Sequence, residues 1–530
     1  MIKNVLLNRK LFKTVYIAFL LFCIIPFING FIVTKALIAA FTVWSVALIL
    51  DDLVKNRLNS YKNRAFVPLV VFFCFCGLSY IINYENGLVK NIATLGIFFV
   101  CAAVLYITAS DDVEKLKKEA VAVFKAYSVA AGFLAIVCFV MYLAQFKIRF
   151  AGQGGLNYRI GVWENRLFGV FSSSNVGGSI MAIGLFIAVG LLIYLHKNGT
   201  LTRMWKIILA VCIFFETCYI ALSISRGTYV SLGVAAVVFF ALYGYKASKN
   251  ILISALKRVV CIVCAFAVFY GCMMGIRQAS FKTVQFLDSK GIVEIKVDGF
   301  DRIEYRDDEN SKDTSSTVAQ RAALKTTENG SVKNLVADSA QDLGSLIKST
   351  SAKKTDDSSP NAADDAQDKL SDLSNKRLDI WKSSLNLAKN KLLFGTGKYY
   401  NEYLNHKDEM RWLSEDDHTY IVWSKGNAHN GYIQILVDAG IFALIAYAVF
   451  LVWCLVKNVR AYIKASRFEK SMLALCLAVI CYVLVNNLFE TNMVLMSSNV
   501  IQAIFWFVAG VDMTLCTIIL KRAKTQQTGD

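Results

Sequence analysis

The stretch YIQILVDAGIFALIAYAVFLVWCL, residues 432 to 455, decides the fold class, because its apolar residues run on instead of alternating. A run of this length can cross a hydrocarbon core of roughly 30 Å as a helix. The chain is 56% hydrophobic over 530 residues, and comparable runs recur along it. The sequence therefore predicts an all-α polytopic membrane protein.

About twelve membrane helices are predicted from these runs. They lie at 14–29, 31–50, 65–83, 91–108, 123–145, 176–195, 204–222, 228–245, 256–276, 432–455, 471–488 and 496–519. The chain divides into helices 1–9 within residues 1–276, a long connection over 277–430, and helices 10–12 with a tail over 431–530. Lysine and arginine concentrate in every second connection and at both ends, as cytoplasmic segments do. Both termini are therefore predicted to be cytoplasmic, in a multi-pass protein of the cytoplasmic membrane, with 277–430 extracytoplasmic.

The net charge of +18 follows from this topology. The connection 277–430 holds 23 Lys and Arg against 25 Asp and Glu, so the positive balance lies in the rest of the chain. We therefore do not interpret the charge as a nucleic-acid surface, and no nucleic-acid partner is expected.

The long connection has two parts of different composition. Residues from about 305 to 375 are rich in Ser, Asp, Ala, Lys and Thr with hardly an aromatic residue, which is typical of a flexible insert. From 376 to 392, Leu378, Trp381, Leu385 and Leu392 recur at helical spacing among basic residues. This pattern predicts an amphipathic helix on the outer surface, resting partly in the membrane interface.

Polar residues near the predicted outer surface have two interpretations. Arg166, Arg226 and Arg377 either snorkel to lipid phosphates or pair with Glu216 or Glu490, or they converge on a diphosphate, which guanidinium groups bind bidentately. His429 is either a general base or, with Asn430, a cap of the tenth helix. Asp438, about 13 Å further along that helix, is predicted to be too deep to orient the ring of His429.

Four segments together resemble the O-antigen ligase and polymerase superfamily of membrane glycosyltransferases. They are NRLFGVFSSSNVGG (165–178), ALSISRGTYVSL (221–232), KRLDIWKSSLNLAKNKLLFGTG (376–397) and NAHNGYIQILVDAGIFALI (427–445). The resemblance implies that His429 is the base on the acceptor hydroxyl and that Arg226 binds the donor diphosphate. Arg166, Arg377, Asn175, Asn430 and Glu490 are then expected in the substrate-binding set, with neither a metal nor another cofactor required.

The expected activity is polymerisation of undecaprenyl-diphosphate-linked oligosaccharide repeat units into a surface polysaccharide. A ligase that transfers the lipid-linked glycan to a separate acceptor needs the same groups, and the sequence does not separate the two. A transporter of lipid-linked sugars and a sensory or scaffolding protein are the rivals from other classes. The expected partners are a lipid-linked donor, a glycan acceptor and membrane lipid, together with polysaccharide export or chain-length proteins.

Overall fold

The computed structural model describes the chain outside the connection 294–375 and several shorter gaps. The described residues are 7–29, 31–56, 66–86, 92, 95–96, 100–107, 113–151, 157–163, 165–244, 251–293, 376–397, 399–491 and 500–528. The predicted insert at 305–375 lies outside them, as do residues 91, 93–94, 97–99 and 108 of the predicted fourth span at 91–108.

Helices make up most of the described residues. In chain order they are α1 (Arg9–Cys23), α2 (Pro26–Asn29), α3 (Ile32–Asn56), α4 (Phe66–Ile82), α5 (Val113–Leu143), α6 (Ser174–Lys197), α7 (Arg203–Ser223), α8 (Arg226–Leu242), α9 (Ile251–Ser289), α10 (Arg377–Ala388), α11 (Tyr399–His406), α12 (Glu415–Ser424), α13 (Gly431–Lys464), α14 (Arg467–Asn486) and α15 (Val500–Thr528). Eight of these are long and apolar enough to cross a membrane, and α4 and α8 are shorter apolar helices. The all-α membrane class is confirmed, whereas the count of about twelve stays a prediction.

Several helix ends differ from the hydropathy boundaries. The first predicted span is divided into α1 and α2, which are separated by a turn at residues 24 and 25. The ninth continues as helix to Ser289, thirteen residues beyond the predicted end at 276. Arg277, Lys282 and Asp288 end the apolar run there, but backbone hydrogen bonding continues because it does not depend on apolar side chains. Hydropathy thus marks the apolar part of a helix and not the whole helix.

The core of the bundle is built around α15. Its residues Val500 to Cys516 are buried throughout, and the fully buried Trp506 packs its ring 5.6 Å from Phe450 and 6.1 Å from Tyr106. α15 contacts α13, α14 and the short π-helical segment Cys101–Tyr106. A helix that is apolar all round is suited to such a central place.

A small antiparallel sheet connects α5 to α6, and the sequence analysis did not predict it. Its strands are β1 (Lys147–Ala151), β2 (Asn157–Trp163) and β3 (Arg166–Gly169), in the order β1-β2-β3. Leu167 is fully buried against the ends of the neighbouring helices, so the sheet is fixed to the bundle. It brings Arg166 to the end of the bundle at which α6 and α8 begin.

A surface cap, defined as residues 376–430, lies at this same end of the bundle. It comprises α10, α11 and α12, and it has its own apolar core of Leu387, Tyr403 and Ile421, which extends to Val437 in the first turns of α13. Asp417 joins α10 to α12: it accepts a hydrogen bond from the N–H of Ser414, the capping residue of α12, and it accepts hydrogen bonds from Asn386 Nδ2 through both carboxylate oxygens. Burial raises the pKa of Asp417, but hydrogen bonds from Ser383, Ser414 and Asn386 outweigh burial and hold the pKa below its ordinary value.

The tenth predicted span, α13, is broken at Gly440, where φ is 83° and ψ is 179°. The backbone groups freed by the break are paired with the cap: Thr396 N–H donates to Val437 O at 2.8 Å and Gly397 N–H to Asp438 O at 2.9 Å. Glycine is needed here because a Cβ on Gly440 would lie 2.3 Å from Leu393 O. The first part of α13 therefore belongs to the cap as much as to the bundle.

Candidate functional site

The candidate site lies where α6, α8 and α13 begin and α7 and α14 end. A loop, an asparagine and two arginines meet there around one carboxylate, that of Glu490, which follows α14. Four of the seven residues predicted for the site make direct polar contacts with Glu490 or with its partner: His429, Arg377, Asn175 and Arg166. The other two, besides Glu490 itself, are Arg226 and Asn430, which open the neighbouring helices.

His429 is held in a strained loop immediately before α13. Its backbone has φ 47°, which is left-handed and uncommon for a residue with a Cβ. Asn427 Oδ1 accepts hydrogen bonds from His429 N–H at 2.9 Å and from the hydroxyl of Thr491 at 2.7 Å. The loop is thereby tied to the segment that carries Glu490, and the imidazole is about one-third exposed.

Glu490 is a buried carboxylate shared by three groups. Its Oε2 lies 3.5 Å from His429 Nδ1, and its Oε1 accepts hydrogen bonds from Arg377 at 2.9 Å and from Asn175 Nδ2 at 2.8 Å. Burial raises the pKa of Glu490, but the adjacent His429, the charge of Arg377 and the hydrogen bond from Asn175 together hold it below its ordinary value. Glu490 is therefore ionised at neutral pH and faces the Nδ1 side of the ring.

The arginines occupy different positions around this carboxylate. Arg377 opens α10 and makes the ion pair with Glu490 that was the structural alternative in the sequence analysis. Arg166 opens β3 and donates to Asn175 Oδ1 and to Ser223 O, both at 3.0 Å. Asn175 thus lies between Arg166 and Glu490, so its carboxamide links the two charged groups.

Arg226 is the first residue of α8, after the capping residue Ser225, and its side chain is exposed. The next residue, Gly227, approaches Phe489 so closely that a Cβ there would lie 3.1 Å from the Cβ of Phe489. The start of α8 is therefore adjacent to the segment that carries Glu490.

Residues in left-handed conformation mark this end of the molecule. Six residues other than glycine have positive φ among those described, and four of them lie at or just before a predicted site residue: Asn165, Ile224, Lys376 and His429. Such conformations are strained and cluster at functional sites. For the β-branched Ile224, two residues before Arg226, a positive φ is a marked outlier.

Asn430 and Asp438 both make hydrogen bonds that stabilise the backbone around His429. Asn430 caps α13, since its Oδ1 accepts hydrogen bonds from the N–H groups of Tyr432 and Ile433. Asp438 accepts a hydrogen bond from Gln434 Nε2 at 3.0 Å, and Gln434 Oε1 accepts one from Ala428 N–H at 3.0 Å. Asp438 therefore supports the backbone immediately before His429 through one intervening side chain.

Sequence reasoning missed the residues that brace the site. Asn427 and Gln434 were quoted within the His-Asn segment but given no role, and Arg277 lies one residue beyond the predicted end of the ninth span. Arg277 donates to Ala221 O at 2.8 Å and to the Tyr229 hydroxyl at 2.6 Å, joining α9 to the start of α8. An arginine directly after an apolar run was the available signal.

A cavity of about 590 Å³ lies between α6, α7, α8 and α9. Its lining is apolar and includes Phe186, Ile213, Leu232, Phe239 and Phe266. It begins at Tyr229, about one turn beyond Arg226, so apolar volume and an exposed guanidinium are neighbours along α8. Such a cavity is suited to a hydrocarbon chain.

The fold and this site define a polytopic helical membrane protein with a charged site at one end of its bundle. Residues 211–448 match a family model described as O-antigen ligase. These residues are thus similar to the O-antigen ligase family, which agrees with the resemblance that the sequence motifs indicated. The matched segment includes Arg226, Arg377 and His429, whereas Arg166, Asn175 and Glu490 lie outside it. A search of curated proteins gave no match to the chain.

The family is one of membrane enzymes with glycosyltransferase-type activity, which act on a lipid-linked oligosaccharide and a glycan acceptor. This assignment favours an enzyme over the transporter and scaffold readings.

Proposed function

We propose that the protein polymerises undecaprenyl-diphosphate-linked oligosaccharide repeat units into a surface polysaccharide, at the outer face of the cytoplasmic membrane. The observation that carries this proposal is the contact between His429 Nδ1 and the buried, ionised Glu490, within a network that also contains Arg377, Asn175 and Arg166. A base, a group that orients it and nearby guanidinium groups are the parts that glycosyl transfer from a diphosphate requires.

His429 acts as the general base. A neutral ring that keeps its proton on Nδ1, toward Glu490, has its lone pair on Nε2, where an acceptor hydroxyl can approach. As the acceptor oxygen bonds to the anomeric carbon, Nε2 takes the hydroxyl proton and later returns it to solvent. Glu490 is a positioning residue: it holds the tautomer and stabilises the imidazolium that forms.

The donor is held by charge and by apolar volume. The bond from the anomeric carbon to the diphosphate oxygen breaks, and negative charge develops on the departing diphosphate. Arg226 binds that diphosphate, with Arg166 and Arg377 adding positive potential beside it. The polyprenyl chain occupies the cavity that begins at Tyr229, so the diphosphate and the polyprenyl chain of the donor both lie along α8.

A ligase reaction is the alternative, because the matched family model is described as O-antigen ligase. Both reactions use the same base and donor groups, and they differ only in the acceptor. The distinction therefore belongs to an assay with separate acceptors.

The test incubates protein purified into lipid nanodiscs with a fluorescent undecaprenyl-diphosphate oligosaccharide, followed by gel analysis. A ladder identifies a polymerase, and a single shifted band that needs an added acceptor identifies a ligase. His429→Ala should abolish either product, because a placed base contributes about 10²- to 10⁴-fold. His418→Ala is the matched control, since His418 contacts Tyr403 within the surface cap. Full activity of His429→Ala would refute the base assignment.

A further inference from the structure

One face of the sheet β1–β3 carries a row of cationic side chains. The register places Arg149 directly opposite Arg159, and Lys147 is two residues from Arg149 on the same strand, so all three share a face. Trp163 lies there too: Lys147 Nζ is 4.2 Å and Arg159 Cζ is 5.5 Å from its ring centroid. We call these four residues the cationic face.

The cationic face leads into the candidate site. Trp163 is paired with Arg166 across β2 and β3. Arg166 in turn donates to Asn175, which contacts Glu490. Because directly opposed residues point to the same side of a sheet, the cations of β1 and β2 and the guanidinium of Arg166 follow one another across the three strands.

The charge pattern of the sheet needs an explanation. Residues 146–169 hold four cationic residues and one acidic residue, Glu164, which lies outside the described residues. Like charges placed directly opposite each other destabilise an antiparallel pair, and basic residues are uncommon in short connections outside the cytoplasm. The sheet thus concentrates positive charge in one row, and planar guanidinium groups bind carboxylates and phosphates in bidentate geometry.

We propose that the cationic face binds the acidic groups, carboxylate or phosphate, of the glycan as it extends from the candidate site. The inference rests on the proposed function for the identity of the ligand as a glycan. Continuity with Arg166 favours a glycan over lipid headgroups, because Arg166 contacts the network that would hold the sugar at the reaction centre. The substrate of this enzyme is accordingly an acidic oligosaccharide.

The test is a binding titration that does not require turnover. Protein in phosphatidylcholine nanodiscs is titrated with fluorescent oligogalacturonate and, in parallel, with a maltooligosaccharide of the same length. We expect salt-sensitive binding of the acidic probe only. Arg149→Gln/Arg159→Gln should weaken it about tenfold, from about threefold for each exposed charge contact. The matched control Lys282→Gln/Lys290→Gln, which removes one exposed cation from α9 and one directly after it, should bind as the unmodified protein does.

Three results would overturn the proposal. They are equal binding of the neutral probe, unchanged binding by the double arginine variant, and equal loss in the lysine control. A double arginine variant that keeps its affinity for oligogalacturonate but loses co-purified phosphatidylglycerol would instead place a lipid on this face. The two proposals can fail separately. His429→Ala should keep its binding of oligogalacturonate while losing glycosyl transfer. A protein that carries out glycosyl transfer but does not bind oligogalacturonate would refute only the proposal for the cationic face.

Discussion

Replacing Glu490 by glutamine tests the central contact of the proposed mechanism. The substitution keeps the shape of the side chain but removes the charge that faces the imidazolium at 3.5 Å. At that separation Coulomb's law gives about 1.2 kcal/mol with the dielectric of water and about 4.7 kcal/mol with an effective dielectric of about 20. These energies correspond to rate losses of about 8-fold and about 3,000-fold. Because His429 is one-third exposed, we expect an intermediate loss of about 100-fold in kcat.

The assay is initial-rate transfer at saturating donor, with thermal unfolding measured on the same preparations. Arg377→Gln is the control. Like Glu490→Gln, it removes the ion pair between Arg377 and Glu490, but it leaves the carboxylate of Glu490 beside His429. It should raise the KM for the donor and lower kcat far less than Glu490→Gln does. A Glu490→Gln variant within twofold of the unmodified kcat would refute the positioning role, as would equal kcat losses in the two variants.

Two further predictions concern stability. Gly440→Ala should lower the unfolding temperature, because the new Cβ would lie 2.3 Å from Leu393 O. The control is Gly199→Ala, which also has a positive φ but whose Cβ would have no atom within 4 Å, so it should lower the unfolding temperature clearly less. Equal shifts of the two unfolding temperatures would contradict the argument from close approach. Because the folded-state pKa of Glu490 lies below its ordinary value of 4.5, the ionised carboxylate contributes stability that is full above that value and is lost as pH falls through the lower folded-state pKa. Calorimetry between about pH 6 and pH 3 should therefore show a larger loss for the unmodified protein than for Glu490→Gln, and parallel curves would contradict this.

Local patterns accounted for much of the fold. Continuous apolar runs predicted most described membrane helices, since crossing a bilayer depends on length and apolarity alone. The break at Gly440 escaped this reasoning because the apolar run continues across it. The sheet escaped too, because a short polar connection between two spans carries no signal on a hydropathy scale.

The sequence singled out residues that the structure brings close together, but it did not predict the contacts between them. His429 and Arg377 came from the order of motifs along the chain, and the structure brings both to Glu490. The contact between Asn175 and Glu490 joins residues 315 positions apart, and such pairings depend on the packing of whole helices. The interpretations of Arg377 as an ion-pair partner and of Asn430 as a cap described contacts that the structure contains, whereas their roles toward substrate remain predictions.

The residues in left-handed conformation beside the site are expected to set thermal stability against catalytic turnover. Non-glycine residues in that conformation cost on the order of 1–3 kcal/mol each, and Asn165, Ile224, Lys376 and His429 are gathered at one end of the molecule. A laboratory selection for heat resistance alone would favour glycine at Ile224, because relief of strain there touches no charged group. A selection for turnover would keep whichever residue aims Arg226 correctly, so the two selections are expected to diverge first in these few loops.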